Sequence, residues 1–125
     1  MSKKKTGTIA MLRVLQRYSD KTHVLSTRDM MHYLHDEFGI DLERRTMYDN
    51  MNVLESFGYK IHRYESGSLG YYLEERIFSN DEIIKTNDAL LQNPEVSDEE
   101  RKSIIDKMLA DYSIYQREEI EKNLA

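Results

Sequence analysis

The chain of 125 residues contains no cysteine, no tryptophan and a single proline. Without cysteine, neither a disulfide framework nor a thiolate-liganded metal site can form. No apolar run approaches the roughly 20 residues that span a bilayer, and the Lys-rich N-terminus lacks the apolar segment of a signal peptide. We therefore expect one domain, or one small domain with an appendage, in a soluble cytoplasmic protein.

Sequence motifs of the common enzyme classes are also missing. There is no Ser/His/Asp order, no glycine-rich loop that would hold a phosphate and no paired-carboxylate motif. His32, His35 and Asp36 have the spacing of metal ligands on one helical face. They fall on the polar side of that helix, where a solvated surface cluster is the simpler interpretation. We expect no enzymatic activity, no cofactor and no metal site.

The net charge of −5 conceals an uneven distribution along the chain. Residues 1–63 carry 11 Lys or Arg against 8 Asp or Glu, a balance of +3. Residues 64–125 carry 7 against 15, a balance of −8. Because phosphates repel carboxylates, only the first half is predicted to face nucleic acid.

Hydrophobic periodicity predicts three helices in the first half of the chain, after a disordered basic arm at residues 1–8. Ser26 is positioned to cap the second helix and Gly39 to end it. The third helix, at about 43–57, precedes Gly58. The buried stripes are predicted to contain Met11, Leu12, Leu15 and Tyr18 in the first helix, Met30, Leu34 and Phe38 with Met31 beside them in the second, and Met47, Met51 and Leu54 in the third.

After Gly58 the hydrophobic period changes from helical to alternating, which predicts a strand, a turn with two glycines and a returning strand at about 59–73. A hairpin that follows three helices in this order is the wing of a winged helix. We therefore predict a mainly α fold with a small β-hairpin: a winged helix-turn-helix domain at 9–75, followed by two C-terminal helices.

The region 76–125 is predicted to be a C-terminal helical dimerisation or interaction region. Two Ser-x-x-Glu capping boxes, at Ser79 and Ser97, begin its two helices. Several large apolar side chains on the last helix need a partner, since burying each one is worth about 1.5–3 kcal/mol. We expect a homodimer whose interface includes Ile105, Met108, Leu109, Tyr112 and Tyr115.

The outer face of the third helix has the residue types that read duplex DNA. At 100° per residue, Arg45, Asp49 and Asn52 lie opposite the apolar seam, with Thr46 and Tyr48 on the flanks. Such a helix fits the major groove, although an ordinary amphipathic surface helix has the same pattern. The predicted DNA-binding residues are Arg44, Arg45, Thr46, Tyr48 and Asn52 on the helix, and His62, Arg63, Ser66 and Ser68 on the wing.

Several motifs occur together in one order along residues 9–110. They are Tyr18-Ser-Asp-Lys-Thr-His-Val-Leu-Ser26, Phe38-Gly-Ile40, Arg44-Arg-Thr-Met-Tyr48, Asn50-Met51 with Leu54, Phe57-Gly-Tyr-Lys-Ile61, Gly70-Tyr-Tyr-Leu73, Arg76-Ile-Phe78, Glu82-Ile83 with Asp88-Ala-Leu90, and Lys102-Ser103 with Ile105-Asp-Lys-Met-Leu109. This series resembles the N-terminal winged helix-turn-helix head of the WYL-type, DeoR-like bacterial transcriptional regulators. The resemblance implies a DNA-binding head with its third helix as the reading element.

The chain departs from that family in three respects. The regulators usually continue into a ligand-sensing WYL domain, for which 125 residues leave no room. Asp49 stands where many relatives carry a basic residue. Lys85, Thr86 and Asn87 fall where relatives tend to be apolar, so the fourth helix is expected to pack differently.

Two functions of different classes follow. The first is a sequence-specific duplex-DNA-binding transcriptional regulator, of repressor type and of bacterial or phage origin, that acts as a homodimer. The alternative is a winged-helix protein-interaction module or inhibitor of mobile-element type, which binds a protein or a nucleic-acid enzyme through its acidic C-terminal half. The basic first half favours the former, and the −8 second half together with Asp49 favours the latter.

Overall fold

The computed structural model describes residues 3–64, 70–74 and 76–124. These residues confirm a mainly helical fold with one small antiparallel sheet. None of the described helices is long and apolar enough to cross a membrane. In chain order the elements are α1 (Lys3–Tyr18), α2 (Thr27–Phe38), α3 (Arg44–Ser56), β1 (Ile61–Tyr64), β2 (Gly70–Leu73), α4 (Asn80–Leu91), α5 (Asp98–Met108) and α6 (Ile114–Asn123).

The chain divides into two compact units, Met1–Glu75 and Arg76–Ala125, which we call the N-terminal and C-terminal units. The core of the N-terminal unit lies where α1 packs against α2 and α3. Met47, Met51 and Leu54 are all buried there, which confirms the predicted apolar seam of the third helix. The opposite face of α3 is consequently left on the outside of the unit.

The disordered arm predicted at residues 1–8 is wrong from Lys3 onward, because α1 begins there. The hydroxyl of Thr8 donates to Oδ1 of Asn50 over 2.9 Å. Gly7 lies so close to α3 that a Cβ atom there would be 3.3 Å from Nδ2 of Asn50. The absence of a side chain at Gly7 therefore lets the first turns of α1 pack against α3.

The predicted stripe of α2 is confirmed at Met30 and Leu34 but not at Phe38, which is 40% exposed. Gly39 adopts a left-handed conformation with φ of 62° and ends the helix directly after Phe38. The chain then reverses, and the backbone N–H of Ile40 donates to the carbonyl of Leu34 over 3.1 Å. Ile40, which follows Gly39, belongs to the buried core, whereas Phe38, which hydrophobic periodicity predicted to be buried, does not.

The hairpin pairs β1 with β2 in antiparallel register, with Ile61 opposite Leu73 and Arg63 opposite Tyr71. Leu25, just before α2, also exchanges two backbone hydrogen bonds with Tyr71, of 2.9 and 2.8 Å. The connection between α1 and α2 is therefore attached to the wing.

Over its described residues, 76–124, the C-terminal unit contains three helices, so the prediction of two is wrong. The helix expected to run on through Tyr115 ends at Met108, and α6 begins after Ser113. Ser113 and Gln116 form a capping box, a signal present in the sequence that periodicity alone overlooked. Between the two helices, the hydroxyl of Tyr112 donates to the carbonyl of Phe78.

The apolar face proposed for dimerisation is largely used inside the chain. Ile105, Leu109 and Tyr112 are at most 4% exposed and belong to the core of the C-terminal unit, with Ile83 and Ile120. These three side chains cannot contact a second copy unless the unit opens. Of the remaining two predicted contacts, Met108 and Tyr115, each is only half-buried.

Replacement of Gly70 by alanine should destabilise the N-terminal unit by about 1–3 kcal/mol. The new Cβ would lie 2.7 Å from Cγ2 and 2.8 Å from Cβ of Val24, a β-branched side chain with little freedom to move. Urea denaturation measures the loss. In a double-mutant cycle, Gly70→Ala should cost much less when Val24 is glycine, and an equal cost in both backgrounds would contradict the steric explanation.

Candidate nucleic-acid interface

The outer face of α3 presents a row of polar side chains to solvent. Arg45, Asp49 and Asn52 are exposed, Thr46 is half-buried and Tyr48 is 38% exposed. This agrees with the positions that helical geometry gave them. Asp49 lies within the row, so the face combines donors for base edges with a carboxylate that phosphates would repel.

Beside the start of α3 is a cavity of about 360 Å³, which we call the basic cleft. Two arginines, two hydroxyl side chains at the start of α2 and two tyrosines line it: Arg28, Arg44, Ser26, Thr27, Tyr48 and Tyr71. It brings together the N-termini of two helices and one strand of the wing. Of the predicted DNA-binding residues, only Arg44 and Tyr48 lie in it.

Local structure explains how these elements meet. The pairing of Leu25 with Tyr71 fixes the start of α2 beside β2. Ser26 then caps α2, where its side chain accepts from the N–H of Asp29 over 3.0 Å. The earlier N–H groups of the helix, at Thr27 and Arg28, have no acceptor within the helix, as at any helix N-terminus. They add donors to a cleft that already contains cations.

The two arginines of the cleft, and Arg45 next to them in sequence, are not engaged in salt bridges with described carboxylates. Among the described residues, Arg28, Arg44 and Arg45 form no salt bridge. The carboxylate of Asp29, which lies in the same turn as Arg28, accepts from the backbone N–H of Ser26 over 3.0 Å. An anion at the cleft would therefore meet uncommitted guanidinium groups, which bind phosphate oxygens in a bidentate manner.

Tyr71 links the cleft to the wing. Burial raises the pKa of its phenol, the hydroxyl of Tyr48 raises it further, and the positive charges of Arg63 and Arg44 act in the opposite direction. The guanidinium carbon of Arg63 lies 5.9 Å from the centroid of the Tyr71 ring, a cation–π distance. Arg63 thus belongs to the same neighbourhood as Arg44.

His62 lies on the opposite face of the hairpin from Arg63, because side chains alternate along a strand. Its ring stacks on Tyr72 with centroids 5.0 Å apart, and its Nε2 is 3.4 Å from a carboxylate oxygen of Glu74. The structure therefore does not group His62 with Arg63, the other predicted wing contact that it describes. Ser66 and Ser68 lie outside the described residues.

The charge balances counted over the two structural units differ from those counted over residues 1–63 and 64–125. The N-terminal unit carries 11 Lys or Arg and 11 Asp or Glu, because the wing and its end contribute three glutamates. The C-terminal unit carries 7 against 12, a balance of −5. The basic character of the candidate interface is thus local and does not extend over the whole unit.

The histidines of α2 are paired with carboxylates. Nε2 of His32 lies 3.0 Å from Oδ2 of Asp36, and Nδ1 of His35 lies 2.9 Å from Oδ1 of Asp41. Across residues 3–64, 70–74 and 76–124, no group of three or more His, Cys, Asp or Glu side chains is arranged to hold a metal ion.

Sequence reasoning missed four residues of the basic cleft: Ser26, Thr27, Arg28 and Tyr71. Ser26 was recognised as a helix cap, but its spacing from Arg44 along the chain gives no sign that the two lie together. Comparison with profiles of protein families, with curated proteins and with solved structures finds no match to this chain.

Arg28→Ala and Arg44→Ala should each lower the salt dependence of binding to random duplex DNA. Each phosphate contact that is lost reduces the slope of log K against log salt by about 1. Fluorescence anisotropy over a salt series measures the slope. Arg13→Ala, which removes an exposed arginine of α1, is the matched control and should leave it unchanged. Equal slopes for all four proteins would contradict a phosphate site in the cleft.

Proposed function

We propose that this chain is a sequence-specific duplex-DNA-binding regulator that acts as a cytoplasmic homodimer in a bacterium or phage. The observation that carries the proposal is the basic cleft beside the exposed face of α3. The cleft supplies cations and helix N-terminal N–H groups for phosphates, and α3 supplies side chains that can reach base edges. The resemblance to the heads of WYL-type regulators supports the same conclusion.

In this proposal the exposed face of α3 contacts the bases and the basic cleft contacts the phosphates. In helix-turn-helix proteins the recognition helix enters the major groove while neighbouring elements contact the backbone. Arg45 and Asn52 project from α3 as the readers, since arginine pairs with guanine and asparagine with adenine. Arg28, Arg44 and Arg63, grouped around Tyr71, would hold the flanking phosphates.

The proposal can be tested by selection from a pool of random duplexes, followed by measurement of affinity for the enriched site and for random DNA. We expect an enriched, two-fold related sequence, because dimers read repeated half-sites. Light scattering on the same sample should give twice the mass of one chain. Failure to enrich any sequence at low salt would reject the proposal.

Arg45→Ala and Asn52→Ala should each lose about 1–3 kcal/mol of binding to the selected site, because each removes contacts to one base. Thermal stability should change little, since both side chains are exposed. Arg13→Ala again serves as the control for a lost positive charge. If both variants bind the selected site as tightly as the parent, α3 is not the reading element.

Asp49→Arg should raise affinity for random DNA and steepen its salt dependence, because it replaces a repulsive charge by an attractive one. Asp49→Asn, which removes the charge but keeps the shape, should give an intermediate affinity. Loss of binding to the selected site in both variants would instead indicate that the carboxylate accepts a hydrogen bond from a cytosine amino group.

A protein partner is the second candidate function. The C-terminal unit has a balance of −5, and the first turn of α5 exposes Asp98, Glu99 and Glu100 in succession. Such a surface suits a basic protein, including one that otherwise binds nucleic acid. If substitution of Arg45 weakens DNA binding, the result supports the first function. If the parent chain does not bind DNA but binds a basic protein, the result supports the second.

A further inference from the structure

The basic cleft has the size of a site for a small organic molecule. Its volume of about 360 Å³ lies within the usual range of such sites, about 300–1,000 Å³. Six side chains line it, and none of the six is a carboxylate. A small anionic ligand therefore fits beside the start of α2, the start of α3 and the wing.

The cations of the cleft match a doubly charged phosphate. Arg28 and Arg44 enter it from two different helices, and both are exposed. Among the described residues neither arginine forms a salt bridge. The N-cap residue of α3, Glu43, makes no capping hydrogen bond with its side chain, and the first turn of α3 contains no acidic residue. A terminal phosphate monoester carries about −1.5 to −2 at pH 7, so two guanidinium groups suit it better than a singly charged backbone phosphate.

The cleft also has an aromatic wall. Tyr48 is 38% exposed, and the centroid of its ring lies 6.4 Å from that of Tyr71. Tyr71 is only 8% exposed, so Tyr48 is the ring that a ligand can reach. Duplex DNA makes little use of such a ring, because its bases are already stacked on one another. A free nucleobase attached to the phosphate could stack on it.

Two hydroxyl groups complete the lining. Ser26 and Thr27 are both half-buried, and the hydroxyl of Ser26 accepts from the N–H of Asp29 over 3.0 Å. A hydroxyl that accepts one hydrogen bond still has its own proton to donate. Both side chains can therefore bind phosphate oxygens or the hydroxyl groups of a sugar. The phosphate, the sugar and the base of a nucleotide thus each have a matching group in one cavity.

We propose that the basic cleft binds a free nucleoside 5′-monophosphate, whose phosphate is held by Arg28 and Arg44 and whose base stacks on Tyr48. This binding does not depend on DNA binding. Its regulatory consequence rests on the proposed function: a nucleotide in the cleft occupies the phosphate site beside α3 and excludes duplex DNA from it. The nucleotide then acts as an inhibitor of DNA binding.

The first test titrates the full-length chain with adenosine 5′-monophosphate, adenosine and ribose 5-phosphate, in a buffer without phosphate. Adenosine lacks the phosphate, and ribose 5-phosphate lacks the base. We expect adenosine monophosphate to shift the backbone amide signals of Thr27, Arg28 and Arg44 in ¹H–¹⁵N spectra in a saturable manner. The other two compounds should each bind at least ten-fold more weakly by titration calorimetry.

The second test changes the cleft. Arg28→Gln and Arg44→Gln should each weaken the binding of adenosine monophosphate ten-fold or more. Both residues are exposed, so these variants keep the fold. Arg13→Gln is the matched control, since it removes an exposed arginine of α1 that does not line the cleft. Tyr48→Leu should abolish the preference for adenosine monophosphate over ribose 5-phosphate, whereas Tyr48→Phe, which keeps a ring, should retain it.

The third test adds adenosine monophosphate to the chain bound to random duplex DNA, at constant ionic strength because salt alone weakens DNA binding. Fluorescence anisotropy should show release of the DNA, with an inhibition constant equal to the dissociation constant from calorimetry. DNA that stays bound while the nucleotide saturates the cleft would contradict the exclusion. A chain that binds the nucleotide but no DNA would reject the DNA-binding function and leave the nucleotide site in place.

Three outcomes would overturn the nucleotide site itself, whether or not the chain binds DNA. One is the absence of saturable shifts with adenosine monophosphate. Another is equal affinity for adenosine monophosphate and ribose 5-phosphate, which shows a phosphate site that does not recognise a base. The third is unchanged nucleotide affinity in both Arg28→Gln and Arg44→Gln.

Discussion

The two backbone hydrogen bonds between Leu25 and Tyr71 are the constraint on which the candidate interface depends. They attach the segment before α2 to the wing, although 46 positions separate the two residues. Because Ser26 follows Leu25 directly and Arg28 comes two residues after Ser26, the same bonds help to place the start of α2 beside Arg44. The cleft combines residues from three separate segments, and this short stretch of sheet pairing joins two of them.

The candidate interface is basic only locally, at arginines that form no salt bridge with described residues. The N-terminal unit as a whole is neutral, so its net charge would attract DNA only weakly, and the proposed binding would depend on local contacts. Arg28, Arg44 and Arg45 are without salt bridges in the described structure, whereas Arg17 pairs with Glu37 elsewhere on the unit. This arrangement favours precise positioning over strong non-specific adhesion.

The C-terminal unit has a hydrophobic core of its own. Its apolar residues close a small core of their own, and Ser113 divides what periodicity presented as one helix into two. Beside this core, Arg101 and Asn87 are buried together, and one donor of each has no acceptor among the described residues. Burial of such a pair is costly, and a unit that needed only stability would be served as well by apolar side chains.

The sequence by itself determined the presence of α1 to α5 and of the hairpin, because hydrophobic periodicity and caps act over a few neighbouring residues. It did not reveal α6 or the early start of α1. It identified the seam of α3, the caps Ser26, Ser79 and Ser97, and the hairpin. The tertiary structure alone decided which elements meet: Leu25 with Tyr71, Arg28 with Arg44, and Asn87 with Arg101. It also decided that Phe38 is exposed and that Ile105, Leu109 and Tyr112 pack inward. These outcomes depend on contacts between residues far apart in the chain, for which local spacing has no signature.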